Sequence, residues 1–267
     1  TKVTIEETHP DKIPPDDQGV LHAENVRLSA NKDNVANESH PSYLHLAFLQ
    51  GCASSLGDHY RTQAGAPKYE TLSKEDAIWG NKHVSSLNMN ASVGAVFQHL
   101  YKGVTIKADL FGKDRGVYLG PAGKAVSMLI DQQWDGWKVG KEIQIPSVYS
   151  LKSETLPNEK LHKKRIVNVV DPVTTVNLRR LLFPIQQAFT RMGMDSPFRL
   201  DMNPHVDFHQ MAQKLWKKHY RHYDIDFSSF DLRVPFPLLM AVPTFLRTFV
   251  SAGPVLGVML ESAFSTI

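Results

Sequence analysis

One stretch of the sequence decides the fold: Tyr223-Asp224-Ile225-Asp226-Phe227-Ser228-Ser229-Phe230-Asp231. Its first six residues alternate apolar and polar side chains, which predicts a strand with one apolar face. The strand brings Asp226 to its end, and Asp231 follows five residues later, beyond a tight turn. Two carboxylates at the edge of a sheet, where a strand ends, suit a site that holds Mg²⁺ and a nucleoside triphosphate. Unrelated acids at strand ends produce the same D-x4-D pattern, so the pair needs support from elsewhere.

A basic segment upstream supplies that support. Residues 151–221 carry 13 Lys and Arg against 6 Asp and Glu, although the formal net charge of the whole chain is only +3. Such a segment is typical of proteins that bind phosphate in RNA, DNA or a nucleotide. Lys152, Lys160 and Arg165 lie roughly 60 to 75 residues before the acidic pair, and cations there can neutralise a triphosphate leaving group. A solvated charged face is the competing interpretation of the same run.

The surrounding patterns predict an α+β fold. Strands are expected within 139–149 and 165–170, where β-branched residues cluster. A helix is expected over 173–192 with a disturbance at Pro184, and another is expected to start at Asn203, with Pro204 at its first position. Residues 1–85 are rich in Asn, Asp, His and Pro, so we expect them to be loop-like apart from a packed piece at 43–49.

An apolar helix is predicted over 235–250, and it has no polar face. Such a helix must be buried on most sides, and the 17 residues that follow it are too few to cover it. We therefore expect a further segment to pack on it. The alternative is a membrane-associated protein, but Arg247 divides the region into two charge-free runs of 13 residues, 234–246 and 248–260. Both are shorter than the roughly 20 residues that span a bilayer, so no transmembrane helix is expected.

Several classes of protein are excluded. Cys52 is the single cysteine, which leaves no disulfide framework and no cysteine zinc cluster. The N-terminus lacks the apolar core of a signal peptide, which favours a cytoplasmic protein. Residues 120–125 resemble a phosphate loop but lack its spacing and its hydroxyl, and there is no G-x-S-x-G elbow. His205 and His209 have zinc-site spacing without the Glu of H-E-x-x-H, and we interpret them as part of a surface helix.

The order of these motifs resembles that of a picornavirus-like viral RNA-dependent RNA polymerase. Ser92-Val93-Gly94 is similar to the template-channel motif G of that family. Lys152-Ser153-Glu154, Lys160 and Lys163-Lys164-Arg165 are similar to its motif F, although Ser153 and Thr155 replace the Asp and Leu of K-D-E-L. The D-x4-D stretch at 226–231 is similar to motif A. The resemblance covers roughly residues 85 to 250, and the order and spacing of the motifs carry it.

The resemblance implies template-directed nucleotidyl transfer that uses NTPs and two divalent metal ions, Mg²⁺ or Mn²⁺. It implies that residues 1–185 form the fingers and 186–267 the first part of the palm. The resemblance assigns Asp226 and the Phe227 carbonyl to metal binding and Asp231 to the ribose 2′-OH. It assigns Lys152, Lys160 and Arg165 to the triphosphate. It assigns the loop residues Ser92 and Gly94 to the template.

The sequence lacks the motifs B and C that follow motif A in this family, and it contains no Gly-Asp-Asp. We therefore expect a second polypeptide or segment to carry them. The expected partners are this segment, NTPs, and an RNA template with its product, in the host cytoplasm. A non-catalytic RNA-binding module that uses residues 151–221 is the alternative. Binding of Mg²⁺ or Mn²⁺ that is lost in Asp226→Asn would favour the polymerase over the RNA-binding module.

Overall fold

The computed structural model describes residues 43–151, 166–196, 198, 203–216, 234 and 236–266. Helices dominate these residues, which also contain one two-stranded antiparallel sheet. In chain order the main elements are α1 (Tyr43–Gln63), α2 (Lys74–Trp79), α3 (Ala95–Leu100), α4 (Gly120–Lys138), β1 (Val148–Leu151), β2 (Ile166–Val169), α5 (Pro172–Met192), α6 (Asp207–Trp216), α7 (Phe236–Phe249) and α8 (Pro254–Thr266). Two single 3₁₀ turns add to these, at Lys107–Asp109 and Gly193–Asp195. The predicted strand at 223–228 lies outside the described residues.

Helices α4 and α5 pack together and connect two hydrophobic cores. Their first halves contribute to the core beside α2 and α3, whose members include Ile78, Val93, Phe97, Leu110, Val126, Ile130, Val173 and Val176. Their second halves contribute to the core beside α7 and α8, whose members include Trp134, Trp137, Leu181, Phe189, Phe245, Phe249 and Leu260. The two helices are therefore the framework on which the other described elements are placed.

Buried amides set the register between α4 and α5. The Nδ2 of Asn177 donates to the carbonyl of Ile130 at 2.9 Å and to the Oε1 of Gln133 at 3.0 Å. The Nε2 of Gln133 in turn donates to the Oγ1 of Thr174 at 3.0 Å and to the carbonyl of Ile143 at 2.9 Å. Because buried polar groups are costly when unpaired, this connected network favours one relative position of the two helices.

Helix α5 continues through Pro184, so the predicted disturbance there is wrong. A proline inside a helix deprives the carbonyl four residues earlier of its N–H partner. Here that carbonyl belongs to Arg180, and it accepts the backbone N–H of Leu72 at 3.0 Å instead. The hydroxyl of Tyr69 donates to the neighbouring Leu181 carbonyl at 2.6 Å. A segment distant in sequence thus replaces the hydrogen bond that proline removes.

The prediction that residues 1–85 are mostly loop-like is wrong for α2 and for the part of α1 beyond the piece excepted at 43–49. Helix α1 packs closely along α7, and Gly57 lies directly against that helix. Helix α7 was predicted at 235–250 and is found at Phe236–Phe249, running through Pro243. This helix is also partly covered by the chain itself, because α1 and α8 pack on it and Phe245, Phe249 and Val250 are buried. The expected further segment is therefore not needed to cover these residues. Leu238 and Leu239 remain exposed.

Gly57→Ala is expected to destabilise the α1–α7 contact. A Cβ at this position would lie 2.7 Å from the carbonyl oxygen of Phe245 and 2.9 Å from the Cβ of Thr248. Because a backbone oxygen cannot move aside cheaply, we expect a loss of about 1–3 kcal/mol in the free energy of unfolding. Gly51→Ala in the same helix is the matched control, since its Cβ would meet nothing within 4 Å. It should stabilise the chain by about 0.5–1 kcal/mol, and equal denaturation midpoints for the two variants would contradict this packing.

The strand predicted at 139–149 is displaced toward the C-terminus. After α4 ends, the chain turns at Gly140, and Ile143 packs against Gly136 without pairing in a sheet. The sheet begins only at Val148, which pairs with Val169, and it extends to the pair Leu151 and Ile166. The strand predicted at 165–170 is confirmed as β2. Alternation at Ile143 and Ile145 therefore reflects packing against a helix.

Helix α6 begins at Asp207, later than predicted. The Oδ1 of Asn203 accepts the N–H of His205 at 3.0 Å, which forms a local turn over 204–206. The carboxylate of Asp207 accepts the N–H of Asn203 at 2.7 Å and closes that turn. Phe208, the second residue of the helix, is exposed. His205 and His209 are both exposed.

In the part of the chain that the structure describes, none of the helices combines the length and the apolar character that crossing a membrane requires.

Candidate functional site

Two of the predicted site residues, Ser92 and Gly94, fall within the described part of the chain. They lie in a loop, residues 91–94, which we call the template loop after the role expected of it. The other predicted site residues lie outside the described residues: Lys152, Lys160, Arg165, Asp226, Phe227 and Asp231. The described residues hold no group of three His, Cys, Asp or Glu that suits a metal ion.

The template loop is held by a short antiparallel ladder with residues 105–108. The N–H of Val93 donates to the carbonyl of Thr105 at 3.1 Å, and the N–H of Lys107 donates to the carbonyl of Ala91 at 2.9 Å. Between them, Ser92 and Ile106 form an isolated β-bridge. The side chain of Val93 is fully buried in the core beside α3 and α5. The loop is therefore anchored from below by an apolar side chain and along one edge by backbone hydrogen bonds.

The hydroxyl of Ser92 is oriented by two donors. Its Oγ accepts the N–H of Gly94 at 3.0 Å and the Nε2 of Gln98 at 3.2 Å. Both of these hydrogen bonds are received by the oxygen, so the hydroxyl proton stays available to donate. Ser92 is half-buried, so part of the residue remains accessible to solvent. The arrangement can present a single oriented O–H to an acceptor such as a phosphate oxygen.

Gly94 is required by the local backbone. Its φ of 79° lies in a region that L side chains rarely adopt, and it immediately precedes α3. A Cβ here would lie 3.7 Å from the Cα of Asp171 and 4.0 Å from the carbonyl oxygen of Val169. Gly94 is itself buried, so its fit is against the junction of β2 and α5. The loop therefore lies against the end of strand β2, which follows Arg165 in the sequence.

Sequence analysis missed Lys107, which supports the loop. Only 7% of this residue is exposed, and its Nζ donates to the carbonyl of Ser92 at 2.9 Å. Burial lowers the pKa of Lys107, and the negative charge of Asp171 opposes that effect. The sequence indicates this burial only weakly, through the apolar neighbours Ile106 and Ala108.

Asp171 is the N-cap of α5, immediately before its first residue, and is 2% exposed. Its Oδ1 accepts the N–H of Thr174 at 2.9 Å, and Pro172 follows at the first helical position. Burial raises the pKa of Asp171, while the hydrogen bonds from Thr174 act in the opposite direction. An acid before a proline is a recognisable helix start, so this cap could be read from the sequence.

A second acid shapes the segment that pairs with the loop. The Oδ2 of Asp109 accepts the N–H of Thr105 at 2.8 Å and the N–H of Ile106 at 3.0 Å. These backbone donors lower the pKa of Asp109, because they stabilise its charged form. They also fix the turn that carries Lys107 toward the template loop.

The phosphate-loop echo at 120–125 has a structural explanation. Gly120 begins α4, and a Cβ on Gly123 would lie 2.4 Å from the carbonyl oxygen of Leu110. Gly123 is therefore needed for the close packing of α4 on the chain before it. This agrees with the rejection of a phosphate loop on spacing.

The sheet relates the template loop to the basic segment. Lys152 is the residue after Leu151 in the sequence, and Arg165 is the residue before Ile166. Leu151 and Ile166 are paired at one end of the two-stranded sheet. At the other end, Val169 lies beside Gly94. Strand β2 thus leads from the last residue of the motif F-like segment to the template loop.

Known proteins share this chain's sequence pattern and fold. The family model described as viral RNA-dependent RNA polymerase matches residues 40–264. Among solved structures, the Sicinivirus 3Dpol RNA dependent RNA polymerase is similar, with a TM-score of 0.59 and 16% sequence identity. The similarity covers 81% of this chain and 44% of that one, so the matched part spans less than half of that polymerase.

A comparison with curated proteins found no match. The structural likeness indicates that the fold is shared with part of a right-hand viral polymerase. The family match extends over most of the sequence and confirms the resemblance drawn from the order of the motifs. The chain belongs to the viral RNA-dependent RNA polymerase family.

Proposed function

We propose that this chain is a component of an RNA-directed RNA polymerase, in which the template loop positions the template strand. The observation that supports this most directly is the oriented hydroxyl of Ser92, which receives two hydrogen bonds and keeps its proton to donate. A phosphate oxygen of RNA is the acceptor that such a donor suits. The proposal divides the chain into fingers at 1–185 and a first part of the palm at 186–267, with the boundary inside α5.

In this proposal the basic segment holds the triphosphate of the incoming NTP. Lys152 and Arg165 adjoin the paired residues Leu151 and Ile166 in sequence, and this adjacency supports a shared role for the two cations. Lys160 lies between them in sequence. Arginine suits this role because its planar donors match phosphate oxygens, and the two lysines add charge. The whole group would neutralise the pyrophosphate as it leaves.

Motif A supplies the remaining contacts in the proposal. Asp226 and the carbonyl of Phe227 would hold Mg²⁺ or Mn²⁺, and Asp231 would accept a hydrogen bond from the ribose 2′-OH. When bound, two such ions stabilise the attacking and leaving oxygens of an in-line displacement at phosphorus. Because the sequence contains no Gly-Asp-Asp, the proposal includes a further segment that carries motifs B and C, in the same polypeptide or another.

Ser92→Ala is expected to weaken template binding in an active polymerase that contains this chain. The variant removes one oriented donor, so KM for the template should rise roughly three- to tenfold with little change in kcat. Ser92→Thr keeps the hydroxyl and should recover most of the affinity. Primer extension at varied template concentration measures both constants.

Ser85→Ala is the matched control, because Ser85 is exposed in the segment before the loop. It should leave KM for the template unchanged. If Ser92→Ala behaved like Ser85→Ala, the template role of the loop would be wrong. The same result would leave the family assignment intact, since that depends on the sequence match.

A further inference from the structure

We propose that Lys107 is a positioning residue that clamps the template loop through the carbonyls of Ala91 and Ser92 and thereby sets the affinity for template RNA. The inference rests on the proposed function, because it takes template binding as the activity of the loop. It concerns a residue that is buried beneath the loop and outside the contact surface with RNA.

Lys107 holds two successive carbonyls of the loop at once. Its backbone N–H donates to the carbonyl of Ala91 at 2.9 Å, and its Nζ donates to the carbonyl of Ser92 at 2.9 Å. The second bond comes from a charged donor, which makes it stronger than a bond between neutral groups. With the Ser92 carbonyl turned inward, the position of the Ser92 side chain is fixed from the backbone side. One residue therefore controls the rotation of the peptide units that carry the oriented hydroxyl.

The start of α5 supports the same loop at Gly94. Asp171 is tied to α5 through its cap on Thr174, and a Cβ on Gly94 would lie 3.7 Å from the Cα of Asp171. Lys107 and Asp171 are both nearly inaccessible to water, at 7% and 2% exposure, and the negative charge of Asp171 opposes the lowering of the pKa of Lys107 by burial. The loop therefore lies against a rigid helix at Gly94 and is held by Lys107 at the carbonyls of Ala91 and Ser92.

The other charged group near this segment has a different task. The carboxylate of Asp109 is engaged by the N–H groups of Thr105 and Ile106. It shapes the turn that carries Lys107 and leaves the Nζ directed toward Ser92. The template loop is thus supported by the turn that Asp109 shapes, by the Nζ of Lys107 and by the start of α5 at Asp171.

The test is Lys107→Met, which keeps most of the length and volume of the side chain but removes the charged donor. KM for the template should rise about tenfold in an active polymerase that contains this chain, since a charge-assisted hydrogen bond to the loop is lost. Lys107→Arg should recover part of the affinity. Lys113→Met, at an exposed position, is the matched control and should leave KM unchanged.

Lys107→Met removes a positive charge that interacts with the buried Asp171, so a double variant controls for unfolding of the single variant. Lys107→Met with Asp171→Asn removes both charges, and asparagine still caps a helix start. This variant should fold, as judged by its denaturation midpoint, and its KM for the template should still be raised. A folded double variant with a normal KM would overturn the proposal.

Hydrogen exchange provides a readout on the loop that does not involve RNA. The amides of Val93 and Gly94 should exchange about tenfold faster in the Lys107 variants, because the loop opens more often. The amide of Leu119, bonded to Leu110 at 2.8 Å, should be unchanged. Faster exchange without a change in KM would overturn the link to template, and unchanged exchange would overturn the clamp.

The same experiment separates this inference from the template role of Ser92. If Ser92→Ala leaves KM unchanged while the Lys107 variants raise both exchange and KM, the hydroxyl contact is wrong and the clamp stands. If Ser92→Ala raises KM and the Lys107 variants match Lys113→Met, the hydroxyl contact stands and the clamp is wrong.

Discussion

Asp226→Asn is expected to abolish RNA synthesis by an active polymerase that contains this chain, without unfolding it. The substitution keeps the size and shape of the side chain but replaces an anionic oxygen ligand with a neutral amide. Hard divalent cations prefer carboxylate ligands, so metal affinity should fall with the activity. We expect incorporation of the first nucleotide to drop to background in a primer-extension assay.

A metal titration tests the cause of that loss. Mn²⁺ binding to the Asp226→Asn variant should be weaker than to the unchanged protein, while the denaturation midpoint should stay the same. Asp135→Asn is the matched control, since Asp135 is an exposed acid on α4 that pairs with Lys138. It should keep full synthesis. Near-complete synthesis by Asp226→Asn would show that the motif A assignment is wrong and would return the RNA-binding module as the better function.

Asp231→Ala is expected to reduce the preference for NTP over dNTP more than it reduces the chemistry. The ribose 2′-OH would lose its charged acceptor, and such a hydrogen bond contributes about 1.5–3 kcal/mol. The ratio of kcat/KM for a matched NTP and dNTP should therefore fall roughly ten- to hundredfold. Single-nucleotide incorporation with each substrate measures the ratio.

Asp231→Asn sharpens the same experiment. The amide retains an oxygen acceptor at the same position but lacks the charge, so its ratio should lie between those of the unchanged protein and Asp231→Ala. Asp135→Ala serves as the surface control. A ratio that does not change in Asp231→Ala would remove this residue from the sugar site while leaving the metal role of Asp226 untouched.

Family membership could be predicted from the sequence because it depends on the order of short motifs. Ser92-Val93-Gly94, the cations up to Arg165 and the D-x4-D stretch occur in one order along the chain, and the family match over residues 40–264 confirms that reading. The roles of Asp226, Asp231 and the three cations remain predictions, because those residues lie outside the described part.

Local sequence patterns were enough to predict some of the helices and strands. The pattern at 173–192, after Pro172, predicted α5, and the run at 236–249, apolar apart from Thr244, Arg247 and Thr248, has the length of a buried helix. The β-branched run that forms β2 was also readable. In each case neighbouring residues in the sequence carry the information, so no distant contact is needed to predict the element.

Tertiary contacts decided the elements that sequence analysis missed. Helix α1 mixes apolar and polar residues without a clear apolar face, and its position depends on packing against α7 more than one hundred and seventy residues away. Pro184 is tolerated in α5 because Leu72 donates to the carbonyl that proline leaves free. Lys107 acquires its role only when the fold brings its Nζ to the carbonyl of Ser92. The sequence by itself thus determined the family and the elements with local signals, while the structure decided burial and pairing, since both depend on residues that meet only after folding.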